Sequence, residues 1–156
     1  MITIRKATPQ DRDAIWRVQT QAIEEVCKSH YTKDEIQAWS SLLKPERYMK
    51  AIASNACFVA EDDDCIVGFG HLDQKKGRIE DLYVSPQYVG LGIGKTILLS
   101  LEREAEESGL KILHLSSTLN AVPFYERGGY RSQHHSKHLL PSGLVTCILM
   151  TKELCS

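Results

Sequence analysis

The chain has 156 residues, 42% of them hydrophobic and 25% charged, which suits one ordinary domain with a buried core. Its net charge of -1 and isoelectric point near 6.6 leave no electrostatic footprint for general nucleic-acid or anionic-membrane binding. Five cysteines without a C-x-x-C pair fit reduced thiols in a cytoplasm rather than a disulfide framework. The sequence carries no apolar signal core and no apolar run of the length that spans a bilayer. No repeat, low-complexity segment or linker divides it, so a single domain over residues 1–156 is expected.

Ile2-Thr3-Ile4-Arg5 alternates and predicts a first strand. Thr8-Pro9-Gln10-Asp11 opens a helix, with Thr8 as N-cap and Pro9 at the first position. Ile15, Val18, Ala22 and Val26 form its apolar stripe. Thr32-Lys33-Asp34-Glu35 is a capping box for a second helix, with Ile36, Trp39 and Leu43 on its inner face. Pro45 opens a third, short helix with Tyr48 and Ile52 inward. Cys57–Ala60 and Cys65–Leu72 predict a hairpin around Asp62-Asp63-Asp64. The polar turn Asp73–Gly77 leads to a strand over Arg78–Val84. A long helix follows with Ile93, Ile97, Leu101 and Ala105 on one face, and Gly109 stops it. Lys111–Leu115 is a strand and Asn120–Arg127 a short helix closed by Gly128-Gly129. Tyr130–Leu139 and Leu144–Thr151 flank Pro141-Ser142-Gly143 as a final hairpin. This order predicts an α/β domain with a mixed sheet.

The stretch over residues 82–101, LYVSPQYVGLGIGKTILLSL, carries the chemistry. Strand, glycine turn (Gly90, Gly92, Gly94) and helix N-terminus follow one another. Glycines let backbone N–H groups approach a ligand closely, and the helix start adds unpaired N–H groups and a positive dipole end. Such a combination makes an anion site, commonly for phosphate. The spacing is G-x-G-x-G, so the dinucleotide pattern G-x-G-x-x-G fails. Gly94-Lys95-Thr96 has a P-loop ending, but no glycine stands five residues before Gly94. A glycine turn without a ligand is the competing reading.

Val89-Gly90-Leu91-Gly92-Ile93-Gly94 resembles the Arg/Gln-x-x-Gly-x-Gly/Ala turn of the GNAT superfamily of acyl-CoA-dependent N-acetyltransferases. Asn120-Ala121-Val122-Pro123-Phe124-Tyr125, running on to Gly128-Gly129-Tyr130, is similar to a second block of that family. The preceding Leu82-Tyr83-Val84-Ser85-Pro86 is also familiar from it. The resemblance implies a single GNAT-like α/β (α+β) domain with a mixed, mostly antiparallel seven-stranded sheet flanked by helices. It implies a splay between the Arg78–Val84 and Lys111–Leu115 strands, with acetyl-CoA as acyl donor entering the gap. The backbone of Leu82, Tyr83 and Val84 would meet the coenzyme arm, and one of its N–H groups the oxyanion. Val89, Gly90, Leu91, Gly92, Ile93, Gly94 and Lys95 would meet the pyrophosphate, with Asn120 and Phe124 beside them. Tyr125 would serve as general acid toward the sulfur; the alternative is plain core packing beside Phe124. Asn120 caps the short helix, touches the coenzyme, or does both.

An amine acceptor must lose a proton, and its neutral form at pH 7 costs roughly 4–5 kcal/mol for an ordinary pKa of about 10.4. Glu80 is the first candidate base, since strand alternation puts it on the face of Leu82 and Val84 and sends Asp81 to the other. His71 is the runner-up, because histidine titrates near neutrality. Tyr31 and Trp39 are candidates for the acceptor mouth. His134, His135 and His138 read as exposed hairpin residues, since no carboxylate or cysteine completes a ligand set; no metal is expected. The implied function is acetyl transfer by direct attack of a primary amine, small-molecule or peptide, in a ternary complex. A non-catalytic acyl-CoA sensor on the same fold is the alternative. Relatives of this kind are often homodimers, and no nucleic-acid or membrane partner is expected. Val89 and Leu91 depart from the family turn, where basic residues are common, so the phosphates must be met by backbone N–H groups, the helix dipole and Lys95. Val89→Arg is expected to tighten acetyl-CoA binding in low salt, with the gain shrinking as salt rises; calorimetric titration at two ionic strengths checks it.

Overall fold

The computed structural model describes residues 1–139 and 146–154, with the backbone alone for 134–139. The elements run β1 (Ile2–Lys6), α1 (Arg12–Glu25), α2 (Lys33–Ser41), α3 (Tyr48–Ala53), β2 (Cys57–Asp62), β3 (Cys65–Asp73) and β4 (Arg78–Val84). Then come α4 (Ile93–Glu107), β5 (Ile112–Thr118), α5 (Val122–Arg127), β6 (Arg131–Leu139) and β7 (Thr146–Glu153). Short 3-10 turns precede α1, α3 and α5. The strands form one seven-stranded sheet in the order β1-β2-β3-β4-β5-β7-β6. Every neighbouring pair is antiparallel except β4 with β5. The mixed, mostly antiparallel α/β sheet that the resemblance implied is therefore present.

Helices cover both faces. Successive residues of β2 divide between them, as strand alternation requires: Ala60 packs with Ile93, Ile97 and Leu101 of α4, and Val59 with Ile15 and Val18 of α1. Tyr48 and Ile52 of α3 join the α1 side. The α2 box forms as predicted, with Thr32 N–H donating to Glu35 Oε1 (2.9 Å) and Glu35 N–H to Thr32 Oγ1 (3.1 Å). The apolar stripes overrun their helices: Val26 and Leu43 lie just past the ends of α1 and α2. Leu43 is nonetheless buried. β5 extends three residues beyond its predicted end because Ser116, Ser117 and Thr118 pair with Leu149, Ile148 and Cys147 of β7. Sheet pairing outweighs the weak propensity of that polar triplet. The turn expected at Pro141-Ser142-Gly143 lies outside the described residues, as do the side chains of His134, His135 and His138. Among the described residues no helix is long and apolar enough to cross a membrane.

Two departures from regular sheet geometry shape the middle of the fold. β4 and β5 pair in parallel only at Arg78↔His114 and Ile79↔Leu115, and β4 has no register with β5 beyond that point. In addition, His71 pairs with Asp81 while Leu72 pairs with Ile79. Glu80 is thus an extra residue in β4, a bulge that breaks alternation. Ile79, Leu82 and Val84 all join the α4-side core, although 79 and 82 differ in parity.

α4 sits close to β3 because Gly68 and Gly70 lie beneath it. A Cβ at Gly70 would stand 2.7 Å from Ile97 Cγ2 and 2.9 Å from Leu101 Cδ1. Gly70→Ala is expected to cost about 1–3 kcal/mol through overpacking, read as a lowered urea midpoint with an unchanged slope.

Candidate active site

Where β4 and β5 part, two hollows open. The larger is a groove of about 570 Å³, walled by Leu82, Tyr83 and Val84 on one side and by Asn120, Phe124 and Tyr125 on the other. Val89, Gly90, Gly92, Gly94 and Lys95 line its end. These are the residues expected for coenzyme contact, with two exceptions. Leu91 points to solvent (68% exposed), and Ile93 (3% exposed) belongs to the core beneath α4. Gly90 and Gly92 both hold φ near +85°, and nothing lies within 4 Å of where their Cβ atoms would be. The turn therefore needs left-handed backbone and presents bare main chain. It is pinned at its start by Tyr88, whose hydroxyl donates to Asp62 Oδ2 (2.8 Å). The first helical hydrogen bond of α4 runs from Thr96 N–H to Gly92 O, so the N–H groups of Ile93, Gly94 and Lys95 have no helical acceptor. Arg127 of α5 also lines the groove. It supplies a second cation that the glycine turn, distant in sequence, gave no hint of.

Asn120 is not a helix cap. The N-cap positions of the two adjoining turns are Thr118 and Ala121, and neither makes a side-chain cap bond. The Asn120 side chain bonds the Cys27 thiol, while its Oδ1 is buried without a hydrogen-bond partner. A buried acceptor left unpaired costs roughly 1–3 kcal/mol, and this oxygen has essentially no accessible surface.

The smaller hollow, about 40 Å³, lies in the β4–β5 wedge and is lined by Glu80, Asp81, Ser116 and Ser117 among others. Leu82, Tyr83, Thr118, Ala121 and Tyr125 line both hollows. Tyr125 is 7% exposed and is held edge-to-face between Phe124 (5.1 Å) and Tyr130 (5.7 Å). Burial, followed by the Asp81 charge, holds its hydroxyl well above the ordinary phenol range, so it stays protonated.

The β4 bulge moves Ile79 onto the face of Leu82 and Val84, whereas Asp81 keeps the opposite face that alternation gives it, beside Arg47. Glu80 and Asp81 are among the five consecutive residues of β4 that edge the small hollow. Glu80 stands 3.7 Å from Arg78 Nε, and Arg78 Nη2 donates to Ser116 Oγ (2.7 Å). Asp81, with its side chain 11% exposed, is 3.9 Å from Arg47 Nη1. Burial raises its proton affinity, partly offset by Arg47. His71 faces Asp81 across the β3–β4 pair. Burial lowers its pKa, Glu80 and Asp73 oppose that, and Arg47 adds to it, so it is kept neutral. Arg47 was not visible as a site residue in the sequence, because it ends a charged turn that reads as solvated. Tyr31 and Trp39 line neither hollow; they meet edge-to-face at 5.7 Å inside the α1–α2 core. The Tyr31 hydroxyl donates to Thr146 O (2.5 Å) and accepts from Leu119 N–H (3.0 Å), tying α2 to β7 and to the turn before α5.

Comparison with known proteins agrees with this geometry. The family described as an acetyltransferase (GNAT) domain matches residues 27–152. Glucosamine 6-phosphate N-acetyltransferase of Trypanosoma brucei brucei is 35% identical over 63 residues, covering 40% of this chain and 43% of that protein. The chain thus spans less than half the length of that relative. Aminoalkylphosphonate N-acetyltransferase of Salmonella typhimurium is 26% identical over 84% of this chain and 86% of its own length. A PaiA N-acetyltransferase from Thermoplasma acidophilum, solved in complex with coenzyme A, superimposes with a TM-score of 0.83 at 22% identity, covering 98% of this chain and 99% of that one.

The buried Asp81 carboxylate opposes folding at neutral pH. Its native pKa is raised, so the stability it contributes is greatest below the unfolded carboxylate pKa of about 3.9 and is lost as pH rises through the native value. Asp81→Asn is expected to melt at a higher temperature than the parent chain at pH 7, with the gap closing toward about pH 4; thermal melts at the two pH values check the sign.

Proposed function

Since the chain belongs to the GNAT acetyltransferase family, we propose that it transfers the acetyl group of acetyl-CoA directly to a primary amine held in the same complex. One observation carries the reading: Tyr125 lies where the large groove meets a small, carboxylate-lined hollow. A donor reaching down the groove and an amine in the hollow would meet at that side chain. Both reported relatives carry names that specify acetylation of an amine.

The groove fits coenzyme A. Bare main chain at Gly90 and Gly92 and the free N–H groups that open α4 suit a pyrophosphate, with Lys95 and Arg127 at the rim. Asn120 lines the wall along which the pantetheine arm would run. β4 past Ile79 has no β5 partner, so its outward backbone groups are free to pair with that arm, as a sheet edge takes a peptide. One N–H over Leu82–Val84 would also meet the carbonyl oxygen as charge develops on it. Acetyl-CoA supplies an activated acyl group whose C–S bond breaks as a new C–N bond forms.

The residues then divide the proton work. Glu80 and Asp81 are the acceptors within the hollow for the proton that the amine nitrogen must lose. Asp81 has the proton affinity raised by burial, which suits a base working near neutrality. Tyr125 steadies the departing sulfur by a hydrogen bond. Full proton transfer runs uphill, because its hydroxyl lies above its ordinary range while a thiol has a pKa of about 8.5. The thiolate leaves and takes its proton from solvent; the amine's proton reaches solvent through the carboxylate.

The test is calorimetric titration with acetyl-CoA, followed by a free-thiol release assay against an amine panel. Binding with amine-dependent release supports the transferase; binding without release from any amine supports an acyl-CoA sensor. Tyr125→Phe is expected to lower kcat by about tenfold to a hundredfold while leaving acetyl-CoA affinity within about twofold. A large loss of affinity instead would assign Tyr125 to binding.

A further inference from the structure

We propose that the acceptor is a small amine bearing an acidic oxyanion, carboxylate or phosphoryl, a few bonds from its nitrogen, and that Arg47 holds that oxyanion. The proposal rests on the acetyltransferase reading and names the substrate class of the same site.

The guanidinium is positioned by the fold. Its Nη1 donates to Gln19 Oε1 (3.3 Å). That oxygen also accepts from the Tyr48 hydroxyl (2.5 Å), and Gln19 is only 3% exposed. The guanidinium carbon sits 5.2 Å from the Tyr48 ring centroid. A buried amide, a buried phenol and an aromatic face thus fix one orientation of a planar fork that suits carboxylate and phosphoryl oxygens.

Its ion pair with Asp81 is a loose one. Among the described residues the one carboxylate within 4 Å is Asp81, at 3.9 Å, too far for a hydrogen bond. The structural arginine of the same fold looks different: Arg5 reaches Asp11 at 2.8 and 3.0 Å and Glu61 at 2.8 Å. Arg47 is still 39% exposed, so a ligand can reach it. The other charged or titratable groups around it are His71, Tyr48 and Tyr83.

Placement relative to the chemistry supplies the rest. Asp81 lines the hollow that Tyr125 also lines. An amine on Asp81 and an oxyanion on Arg47, each at about 3 Å, would be separated by roughly two to four bonds. Arg47 lines neither hollow and Asp81 stands directly beside it, so a zwitterion would lie alongside the pair rather than between them, with opposite charges on opposite partners.

The test pairs acceptors that share an amine and differ in the oxyanion: 2-aminoethylphosphonate and β-alanine against propylamine, and glucosamine 6-phosphate against glucosamine. Thiol release measures turnover. Calorimetric titration of each amine into the coenzyme A-loaded protein measures binding without turnover. The oxyanionic members are expected to lead their neutral partners by roughly tenfold to a hundredfold in kcat/KM. In Arg47→Gln that lead is expected to collapse toward one through KM, and Arg47→Lys to restore part of it. The phosphonate and β-alanine arms tell phosphoryl from carboxylate recognition. Neutral amines binding and reacting as well as oxyanionic ones, in the parent chain, would overturn the proposal without any variant. Oxyanionic amines that bind through Arg47 but are never acetylated would uphold the Arg47 site and overturn the transferase reading.

Discussion

The parallel contact between β4 and β5 covers two residue pairs and stops, and the candidate site exists because it stops. A continued ladder would pair the backbone of Leu82–Val84 internally and close both hollows. Ending it leaves main-chain donors and acceptors without a sheet partner, a cost that buried groups bear unless water or a ligand meets them. The wedge must therefore be held open from its flanks. On one side α4 is clamped to β3 through the Gly68 and Gly70 contacts. On the other, β5 pairs with β7 along its whole length, and α5 closes over the gap.

The brace behind α5 fixes Tyr125, one of the residues that line both hollows. Tyr130 stacks edge-on against Tyr125 and donates to the buried Glu102 at 2.8 Å. Lys152 of β7 donates to the same carboxylate at 3.0 Å and lies over the Tyr130 ring. α4, α5 and β7 thus meet at one charged, satisfied network. Glu102 is tolerated in the core because both of its partners are donors. A network completed in this way orients an aromatic neighbour more tightly than apolar packing alone, and the Tyr125 ring inherits that order.

Much of this could be read from residue order. Helix stripes, the Thr32–Glu35 box, the glycine turn at positions 90–94 and the strand spacing are local features, and the element types follow from them. The groove was legible for a related reason: a glycine turn that opens a helix defines its own ligand face. The acceptor side was not legible. The bulge at Glu80 adds one residue to a strand with no Gly or Pro to mark it, so simple alternation misplaces Ile79, which shares the face of Leu82. Arg47 acquires meaning only when α3 packs beside β4. Tyr31 and Trp39 have the composition of a cleft wall and of a core equally, and a hydroxyl bonded to both β7 and the turn before α5 decides for the core. What escaped detection was every contact made by long-range packing between elements whose own identities were correct.

The same distinction explains how the groove can do without an arginine in its turn. Val89 and Leu91 are 53% and 68% exposed, so neither offers charge or shelter to a phosphate. The cations at the groove, Lys95 and Arg127, sit on different helices, and both are exposed. Exposed charges act through solvent and are screened over about 8 Å at physiological salt, so they govern capture more than fit. The N–H groups of the turn and of the first turn of α4 are fixed by backbone geometry that salt does not alter. On the proposed reading, recognition of the phosphates would rest mainly on main chain, which any sequence can supply provided Gly90 and Gly92 keep their left-handed conformation. The carboxylates stand at the other end of the wedge, where Glu80 and Asp81 edge the small hollow and Arg47 lies beside Asp81.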